Sequence, residues 1–181
     1  MKKVFILDGP DGSGKTTLAN KLQDIYDIPI YHLTYYEDRE KFQKQFDIVT
    51  NMLKEYFAGK RDGFILDRHI FSEIAYQRVY RPQVPLIDGA ADILEMIEHR
   101  AATGEIDIIF ALPNDRTQWF EHFTKLTSER EEMYSGPKML EVYEEYLKLW
   151  KTMRYNKNVY RYDFFQNMEG KNKLTLKIDE H

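Results

Sequence analysis

A glycine-rich segment near the amino end has the residue types and the spacing that bind phosphate groups. Residues 9–17 read G-P-D-G-S-G-K-T-T, which matches the pattern G-x-x-x-x-G-K-[ST] at every position. Glycines allow backbone N–H groups to turn inward around phosphates, and the amino end of a following helix adds positive potential. The segment therefore predicts a site for a nucleoside triphosphate, ATP or GTP, together with Mg²⁺.

The residues around this segment fit that prediction. Residues 4–7 are an apolar run typical of a buried strand, and Leu18, Leu22 and Ile25 follow at helical spacing. Lys15 is expected to reach the β- and γ-phosphates, and the hydroxyl of Thr16 is expected to bind Mg²⁺. The residues predicted to bind ATP are Gly9, Asp11, Gly12, Ser13, Gly14, Lys15, Thr16 and Thr17.

A second polar segment follows the apolar run at residues 64–66. Residues 67–77 read D-R-H-I-F-S-E-I-A-Y-Q. Ligands of open α/β sheets bind beyond the carboxyl ends of the strands, so these side chains are expected to lie beside the phosphate-binding segment. Arg68 offers a rigid fork of N–H donors that suits a phosphate, and Asp67 is expected to influence Mg²⁺ through its waters.

Together, the two segments resemble the thymidylate kinase family, whose members transfer the γ-phosphoryl group of ATP to a deoxynucleoside monophosphate. The resemblance is specific in these two segments and extends, in the order of elements, over most of residues 1–160. It implies that Lys15, Arg68, Arg130 and Asp11 are catalytic and that Thr16 and Asp67 attend the metal. The acceptor-binding residues that it implies are Asp11, Phe42, Arg68, Ser72, Tyr76 and Gln77.

Some of these implied roles have structural alternatives. The resemblance places a lid near residues 127–137, where Arg130 would stabilise charge on the transferring group, but a solvated charged loop also fits that segment. Phe42 would stack on the acceptor base, or it belongs to the core stripe that includes Phe46 and Val49. Tyr76 and Gln77 would face the base, or they lie on the surface of a helix.

The segment after the second predicted strand departs from the family. Thymidylate kinases usually have R-E-P-G-G-T there, with an arginine that holds the acceptor phosphate, whereas residues 32–39 of this chain read H-L-T-Y-Y-E-D-R. Four residues after Phe42 the family commonly has an arginine, and this chain has Phe46. Arg39, Arg78 and Arg81 are candidates for the missing positive charge. Divergent kinases of this shape occur in viruses, which makes a phage origin one interpretation of the divergence.

Three other functions stay open. A deoxynucleoside kinase would use a carboxylate base on a neutral hydroxyl, and Glu37 or Asp38 is placed for that role. A kinase for a hydroxyl group of modified DNA is disfavoured by the excess of acidic residues, although a local basic groove is compatible with it. A nucleotide-binding regulator without transfer chemistry would have little need for Arg68.

The elements that position these residues alternate between strand and helix, which predicts an α/β fold. We expect the three-layer fold of P-loop kinases, with a five-stranded parallel sheet and helices on both faces, as a single domain over residues 1–181. Strands are predicted at 4–7, 28–33, 64–67, 106–112 and 159–162. Helices are predicted at 15–26, 38–57, 70–80, 89–100, 116–127 and 138–153.

Composition excludes several classes of protein and partner. The chain has no cysteine, so it has no disulfide scaffold, thiol nucleophile or iron–sulfur site. Its 26 basic and 30 acidic residues give a net charge of −4, which makes nucleic acid an unlikely main partner. No apolar run is long enough to span a membrane, so we expect a cytoplasmic protein. The apolar stripe over residues 42–57 predicts either core or the interface of a homodimer.

Overall fold

The computed structural model describes residues 3–128 and 136–168. Every predicted strand and helix is present, with bounds within two residues of those expected, and a short helix after the last strand had not been predicted. The strands are β1 Val4–Asp8, β2 Ile30–His32, β3 Ile65–Asp67, β4 Ile106–Ala111 and β5 Val159–Tyr162. The helices are α1 Lys15–Tyr26, α2 Arg39–Phe57, α3 Ile70–Tyr80, α4 Ala90–Ala102, α5 Arg116–Ser128, α6 Gly136–Met153 and α7 Phe164–Met168.

The strands form one sheet in the order β2-β3-β1-β4-β5, and every neighbouring pair is parallel. This confirms the predicted five-stranded parallel sheet of an α/β fold. Strand β3 lies directly beside β1, with Leu7 paired to Asp67. The phosphate-binding segment after β1 and the polar segment after β3 therefore leave the sheet next to each other.

Helices cover both faces of the sheet, which is why the central strands are apolar on both sides. Phe5 and Leu7 of β1 point to the face that α1 covers, where they pack with Leu18 and Leu22. Val4 and Ile6 point to the other face and belong to a larger core that includes residues of α2 to α6. The alternation of side chains along β1 thus divides the interior into two cores.

Helix α2 buries its apolar stripe inside the chain. Phe42, Phe46, Val49 and Leu53 are all at most 5% exposed and belong to the larger core. The stripe is therefore core, and it does not form the exposed face that a homodimer through it would need. The side chain of Asp38 accepts a hydrogen bond from the backbone N–H of Lys41 at 3.1 Å and begins the helix.

Two further expectations concern the predicted lid and the absence of a membrane-spanning segment. The predicted lid near residues 127–137 overlaps the end of α5 and the start of α6, and the rest of it, including Arg130, lies outside the described residues. Among the described helices, none combines the length and the apolar character needed to cross a membrane.

Candidate active site

The phosphate-binding segment forms a tight loop between β1 and α1 that only glycine can build at two positions. Gly9 has a φ angle of 154°, and a Cβ atom there would collide with the backbone carbonyl of Ala111 in β4. Gly14 has a φ angle of 83°, and its Cβ atom would collide with the ring of Phe164 in α7. The loop is thus fixed against the next strand on one side and against α7 on the other.

Lys15 places its ammonium group inside this loop. The side chain is buried, and Nζ donates a hydrogen bond to the backbone carbonyl of Pro10 at 2.6 Å and lies 3.5 Å from Oγ of Ser13. Burial and the nearby charge of Arg68 lower the pKa of Lys15 to about 8. The loop surrounds a cavity of about 310 Å³, which we call the donor cavity, and Thr16, Thr17 and Asp67 also line it.

Asp67 ends β3 with one carboxylate oxygen engaged and one free. Oδ2 lies 2.8 Å from Nδ1 of His32 at the end of β2, and Oδ1 is buried with no hydrogen-bond partner among the described residues. Burial favours a higher pKa, but the His32 hydrogen bond and the positive charges of Lys15 and Arg68 outweigh it and lower the pKa of Asp67. An ionised oxygen without a partner beside a phosphate loop suits a divalent cation.

Arg68 follows β3 in a backbone conformation that is rare outside glycine, with a φ angle of 76°. Its backbone N–H donates to the carbonyl of Leu7 at 2.9 Å, which holds the segment against β1. Its guanidinium forms an ion pair with Asp11, lies 3.5 Å from Oγ of Ser72 through Nη1, and sits 5.5 Å from the ring centroid of Tyr76. Arg68 therefore joins the phosphate loop to α3.

Asp11, in the phosphate loop, is the acidic partner of Arg68. Its carboxylate accepts a hydrogen bond from the Tyr76 hydroxyl at 2.9 Å, and its backbone carbonyl accepts one from Nε1 of Trp119 at 2.9 Å. Burial favours a higher pKa, but the charges of Arg68 and Lys15 outweigh it and lower the pKa of Asp11. Asp11 is thus ionised and held between α3 and α5.

A larger cavity of about 570 Å³ adjoins the donor cavity, and we call it the acceptor cavity. Both cavities are lined by Asp11, His32 and Arg68, so these residues form their common wall. The acceptor cavity has aromatic residues from two parts of the chain, the β2–α2 region and α3. They are Tyr35, Phe42, Tyr76 and Tyr80.

The structure brings most of the predicted acceptor-binding residues to this cavity. The cavity is lined by Asp11, Phe42, Arg68, Ser72 and Tyr76. Phe42 is only 3% exposed, so it belongs to the core and also forms part of the cavity wall. Gln77 does not line the acceptor cavity. Its Nε2 donates to the backbone carbonyls of Arg81, at 3.1 Å, and of Val84, so it holds the loop after α3.

The three arginines considered as substitutes for the missing positive charge all have acidic partners. Arg39 and Arg81 both pair with the buried carboxylate of Glu73, at 3.0 and 3.3 Å. Arg78 pairs with Glu145 of α6 at 3.1 Å. Arg68, which pairs with Asp11, lies at the junction of the two cavities.

The alternative carboxylate bases are placed differently from each other. Glu37 lines the acceptor cavity and is exposed. Asp38 is occupied as the cap of α2. Of the two, Glu37 is therefore the carboxylate that an acceptor in this cavity would meet.

A buried network beneath the site was not anticipated from the sequence. Asp8, the last residue of β1, accepts hydrogen bonds from the backbone N–H of His69 at 3.0 Å, from the Tyr146 hydroxyl at 3.0 Å and from the Ser72 hydroxyl. Burial raises the pKa of Asp8. The signal in the sequence that could have indicated this network is a charged residue, Asp8, at the end of an apolar strand. The network connects α3 and α6 to the start of the phosphate loop.

Comparison with known proteins identifies the fold. No protein-family model matches the sequence, and no curated protein is detectably similar to it. The YorR protein from Bacillus subtilis, in complex with phosphorylated GDP, is similar in structure with a TM-score of 0.64 at 21% sequence identity, over 91% of this chain and 87% of that chain.

Deoxyadenosine kinase from M. mycoides is also similar in structure. With the products dCMP and a flexible dCDP bound, it has a TM-score of 0.54 at 14% identity, over 88% of this chain and 89% of that chain. With bound dATP, it has a TM-score of 0.53 at 13% identity, over 89% of this chain and 90% of that chain. The chain therefore has a fold that is shared with a P-loop nucleoside kinase.

Proposed function

We propose that the protein is a kinase that transfers the γ-phosphoryl group of ATP to a deoxynucleoside monophosphate, with dTMP as the preferred acceptor. The observation that carries the proposal is the common wall of the two cavities, formed by Asp11, His32 and Arg68. A triphosphate on the loop and an acceptor in the aromatic cavity would bring their reacting groups together at Arg68. Binding two substrates in this way supplies the positioning that phosphoryl transfer needs.

Charge neutralisation at this wall comes from residues of both cavities. Lys15 would bind the β- and γ-phosphates in place of the backbone carbonyl that it now contacts, and Arg68 would bind the acceptor phosphate. Asp11 holds Arg68 ready through their ion pair, and an acceptor phosphate is an alternative partner for the guanidinium. An acceptor phosphate is already a nucleophile, so this reaction needs no general base.

The metal that such a reaction uses fits residues beside the loop. The hydroxyl of Thr16 and the unpartnered Oδ1 of Asp67 would hold Mg²⁺ directly or through its waters. Bound there, the ion neutralises charge on the transferring phosphoryl group. Arg130 belongs to the same proposal as a lid residue that stabilises this charge.

The neighbouring structures support a nucleotide-type acceptor. YorR is described with phosphorylated GDP, and deoxyadenosine kinase with dCMP and dCDP or with dATP. In this chain, Phe42 and Tyr76 in the walls of the acceptor cavity give a flat base the aromatic surfaces on which it would stack.

A second candidate function is supported by the charges of the acceptor cavity. The two arginines that line this cavity, Arg68 and Arg81, are already paired with Asp11 and Glu73, so a doubly charged acceptor phosphate would have to compete with a carboxylate. Glu37 also lines the cavity. A neutral deoxynucleoside would need less positive charge, and Glu37 would act as the general base for its hydroxyl.

The two candidates are tested by measuring ADP release from Mg-ATP with a panel of acceptors. The panel contains dTMP, dUMP, dGMP, dCMP, thymidine and a single-stranded oligonucleotide. Turnover with monophosphates, fastest with dTMP, is expected. Turnover with thymidine alone would favour the second candidate, and turnover with the oligonucleotide alone would assign the kinase to nucleic acid. Tight ATP binding without turnover of any acceptor would contradict the proposal.

A further inference from the structure

Among the described residues, the arginines without an acidic partner lie together. Seven arginines form ion pairs with carboxylates, namely Arg39, Arg61, Arg68, Arg78, Arg81, Arg100 and Arg116. Arg154, just after α6, and Arg161, in β5, form none within the part of the chain that the structure describes. Both guanidinium groups lie against the same indole, with Cζ atoms 5.7 and 5.0 Å from the ring centroid of Trp150.

Further positive charge accompanies these two arginines. Residues 146–162 contain five basic residues and no acidic one, although the whole chain has a net charge of −4. Lys151, Arg154 and Lys157 are exposed, and none of the three forms an ion pair within residues 3–128 and 136–168. Because exposed charges are screened beyond about 8 Å at physiological salt, an approaching molecule would meet this local excess of positive charge rather than the net charge of the chain.

An exposed aromatic ring lies among these basic residues. Tyr155 is 80% exposed, more than any other large apolar side chain of the described residues. Arg154 contacts it, since Nη2 donates to the Tyr155 hydroxyl at 2.7 Å and Cζ lies 4.9 Å from the ring centroid. Arg161 is fixed by the backbone carbonyls of residues 112 and 113, which accept hydrogen bonds from its Nε and Nη2 at 2.7 and 2.9 Å. We call these residues the cationic–aromatic surface: Trp150, Lys151, Arg154, Tyr155, Lys157 and Arg161.

The side chains of this surface fit a molecule that presents phosphates and flat rings together. Ammonium and guanidinium groups bind phosphates, and an exposed aromatic ring gives a nucleic-acid base a face on which to stack. A single strand offers both, whereas in a duplex the bases are already stacked on each other. A lipid surface is bound by helices with an exposed apolar face, but the exposed residues within 148–157 are lysine, threonine, arginine and tyrosine. The chemistry therefore favours a single strand over a membrane.

We propose that the cationic–aromatic surface binds single-stranded nucleic acid without regard to sequence, with a base stacked on Tyr155 and phosphates held by Lys151, Arg154 and Lys157. None of the residues of this surface lines the donor cavity or the acceptor cavity. The surface would therefore hold a strand while both cavities stay open to their own ligands. The inference goes beyond the proposed function and does not depend on it.

The inference is tested by fluorescence anisotropy with a labelled oligothymidylate of about 16 nucleotides and with an abasic strand of the same length. Stacking on Tyr155 should make the oligothymidylate bind at least about tenfold more tightly than the abasic strand. Three phosphate contacts should lower its affinity about 20-fold between about 50 and 200 mM NaCl. Neither ATP nor dTMP should displace the strand, because the cavities lie elsewhere.

Variants of the surface locate the binding. Tyr155→Ala should lower the affinity for oligothymidylate about tenfold and remove its advantage over the abasic strand, whereas Tyr155→Phe keeps the ring and should bind like the wild type. The triple variant Lys151→Gln, Arg154→Gln, Lys157→Gln should bind at least about 20-fold more weakly at low salt and lose most of the salt dependence. Its matched control changes the net charge equally at exposed residues in and just after α2, and it should have little effect; the changes are Lys44→Gln, Lys54→Gln and Lys60→Gln.

The possible outcomes separate this inference from the proposed function. The inference would be overturned by a wild type that binds no oligothymidylate, by equal affinities for the two strands, by equal losses in the two triple variants, or by displacement of the strand by dTMP. Binding of vesicles of phosphatidylserine and phosphatidylcholine in place of the strand would assign the surface to a membrane and overturn it as well. ADP release from Mg-ATP with dTMP should keep the wild-type rate in every variant, so none of these results decides the kinase proposal.

Discussion

The two halves of the candidate active site are built in different ways. The donor cavity is lined mainly by one continuous segment, residues 11–17, whose backbone N–H groups would contact a bound phosphate. The acceptor cavity is lined by Asp11 and by side chains from two segments far apart in the chain, residues 32–42 and 68–81. Backbone geometry follows from glycine spacing and is visible in a sequence, whereas side-chain pairing across the fold is not.

The halves also differ in how their charges are used. Among the described residues, the hydrogen bonds of Lys15 in the donor cavity reach only a backbone carbonyl and a hydroxyl, so its charge is available to phosphates. In the wall of the acceptor cavity, Arg81 is engaged with Glu73, which also pairs with Arg39 behind it. Arg68 and Asp11 join the halves, and substitutions on either side of this pair should therefore affect different substrates.

The largest effect is expected from Lys15→Ala. Loss of the cation at the transferring phosphates should lower kcat for ADP release by about 10²- to 10³-fold, while acceptor binding measured without ATP stays unchanged. The matched control is Lys21→Ala, an exposed lysine of the same helix, which should keep full activity. Unchanged turnover in Lys15→Ala, with the wild-type melting temperature, would mean that the loop does not bind the reacting nucleotide.

Arg68→Ala is expected to act mainly on the acceptor half. A hydrogen bond to a charged group is lost there, so kcat/KM for the acceptor should fall by about 10- to 100-fold while the Kd of ATP changes little. Steady-state kinetics with each substrate varied in turn measures the difference. Arg61→Ala serves as the control, because Arg61 also pairs with an acid, Glu55 at 2.8 Å, but lines neither cavity. A change in ATP affinity alone would place Arg68 on the donor side of the reaction.

The pH dependence of ATP binding should distinguish the halves as well. The pKa of Lys15 is lowered to about 8 in the unliganded protein, and bound phosphates require the protonated form. ATP affinity should therefore fall above about pH 8, by up to about tenfold for each pH unit, with uptake of a proton on binding. Lys15→Ala should abolish both effects. Calorimetry in buffers of different ionisation enthalpy that detects no proton uptake at pH 9 would contradict this account of Lys15.

The smallest effect on activity is expected from His69→Leu, beneath the acceptor half, which should act on stability instead. Burial lowers the pKa of His69 to about 3, and neither ring nitrogen has a hydrogen-bond partner among the described residues. The unfolded chain takes up a proton near pH 6.5, so His69 lowers the free energy of unfolding as the pH falls from about 6.5 to 3, by about 1.4 kcal/mol per pH unit.

His69→Leu should remove this acid sensitivity and raise stability at low pH, because it replaces unsatisfied polar atoms with apolar ones. Denaturant unfolding of both proteins between pH 7 and 4 measures the difference. Parallel pH profiles of the two proteins would show that His69 is not the group that titrates.

The fold was predictable because the apolar runs and the helical stripes are clear in the sequence, with α7 as the exception. This helix has only five residues, Phe164–Met168, too few for a periodic pattern to emerge. In the site, the phosphate loop was predicted from its glycine spacing, and Arg68 from its place after a buried strand and from the family resemblance. The engagement of Gln77 with a loop carbonyl, and of Glu73 with two arginines, was not predictable because spacing along the chain does not reveal which polar groups pair.

The same limit applies to the network of Asp8. Tyr146 reaches Asp8 across 138 residues of sequence, and Ser72 does so across 64. Ser72 was singled out for the acceptor, and its hydrogen bond to Asp8 shows that it also anchors α3. A second, structural role of this kind can be recognised only when the packing of the helices is known.

We propose above that the two cavities hold the donor and the acceptor of one reaction. A decisive measurement is the affinity of the protein for adenosine and thymidine joined through their 5′ oxygens by a chain of four or five phosphates. If the cavities work together, one conjugate should bind about 10²- to 10⁴-fold more tightly than ATP and should be displaced by both ATP and dTMP or thymidine. The five-phosphate conjugate should be the tighter one for a monophosphate acceptor. Conjugates that bind no better than ATP, and that ATP alone displaces, would contradict the claim.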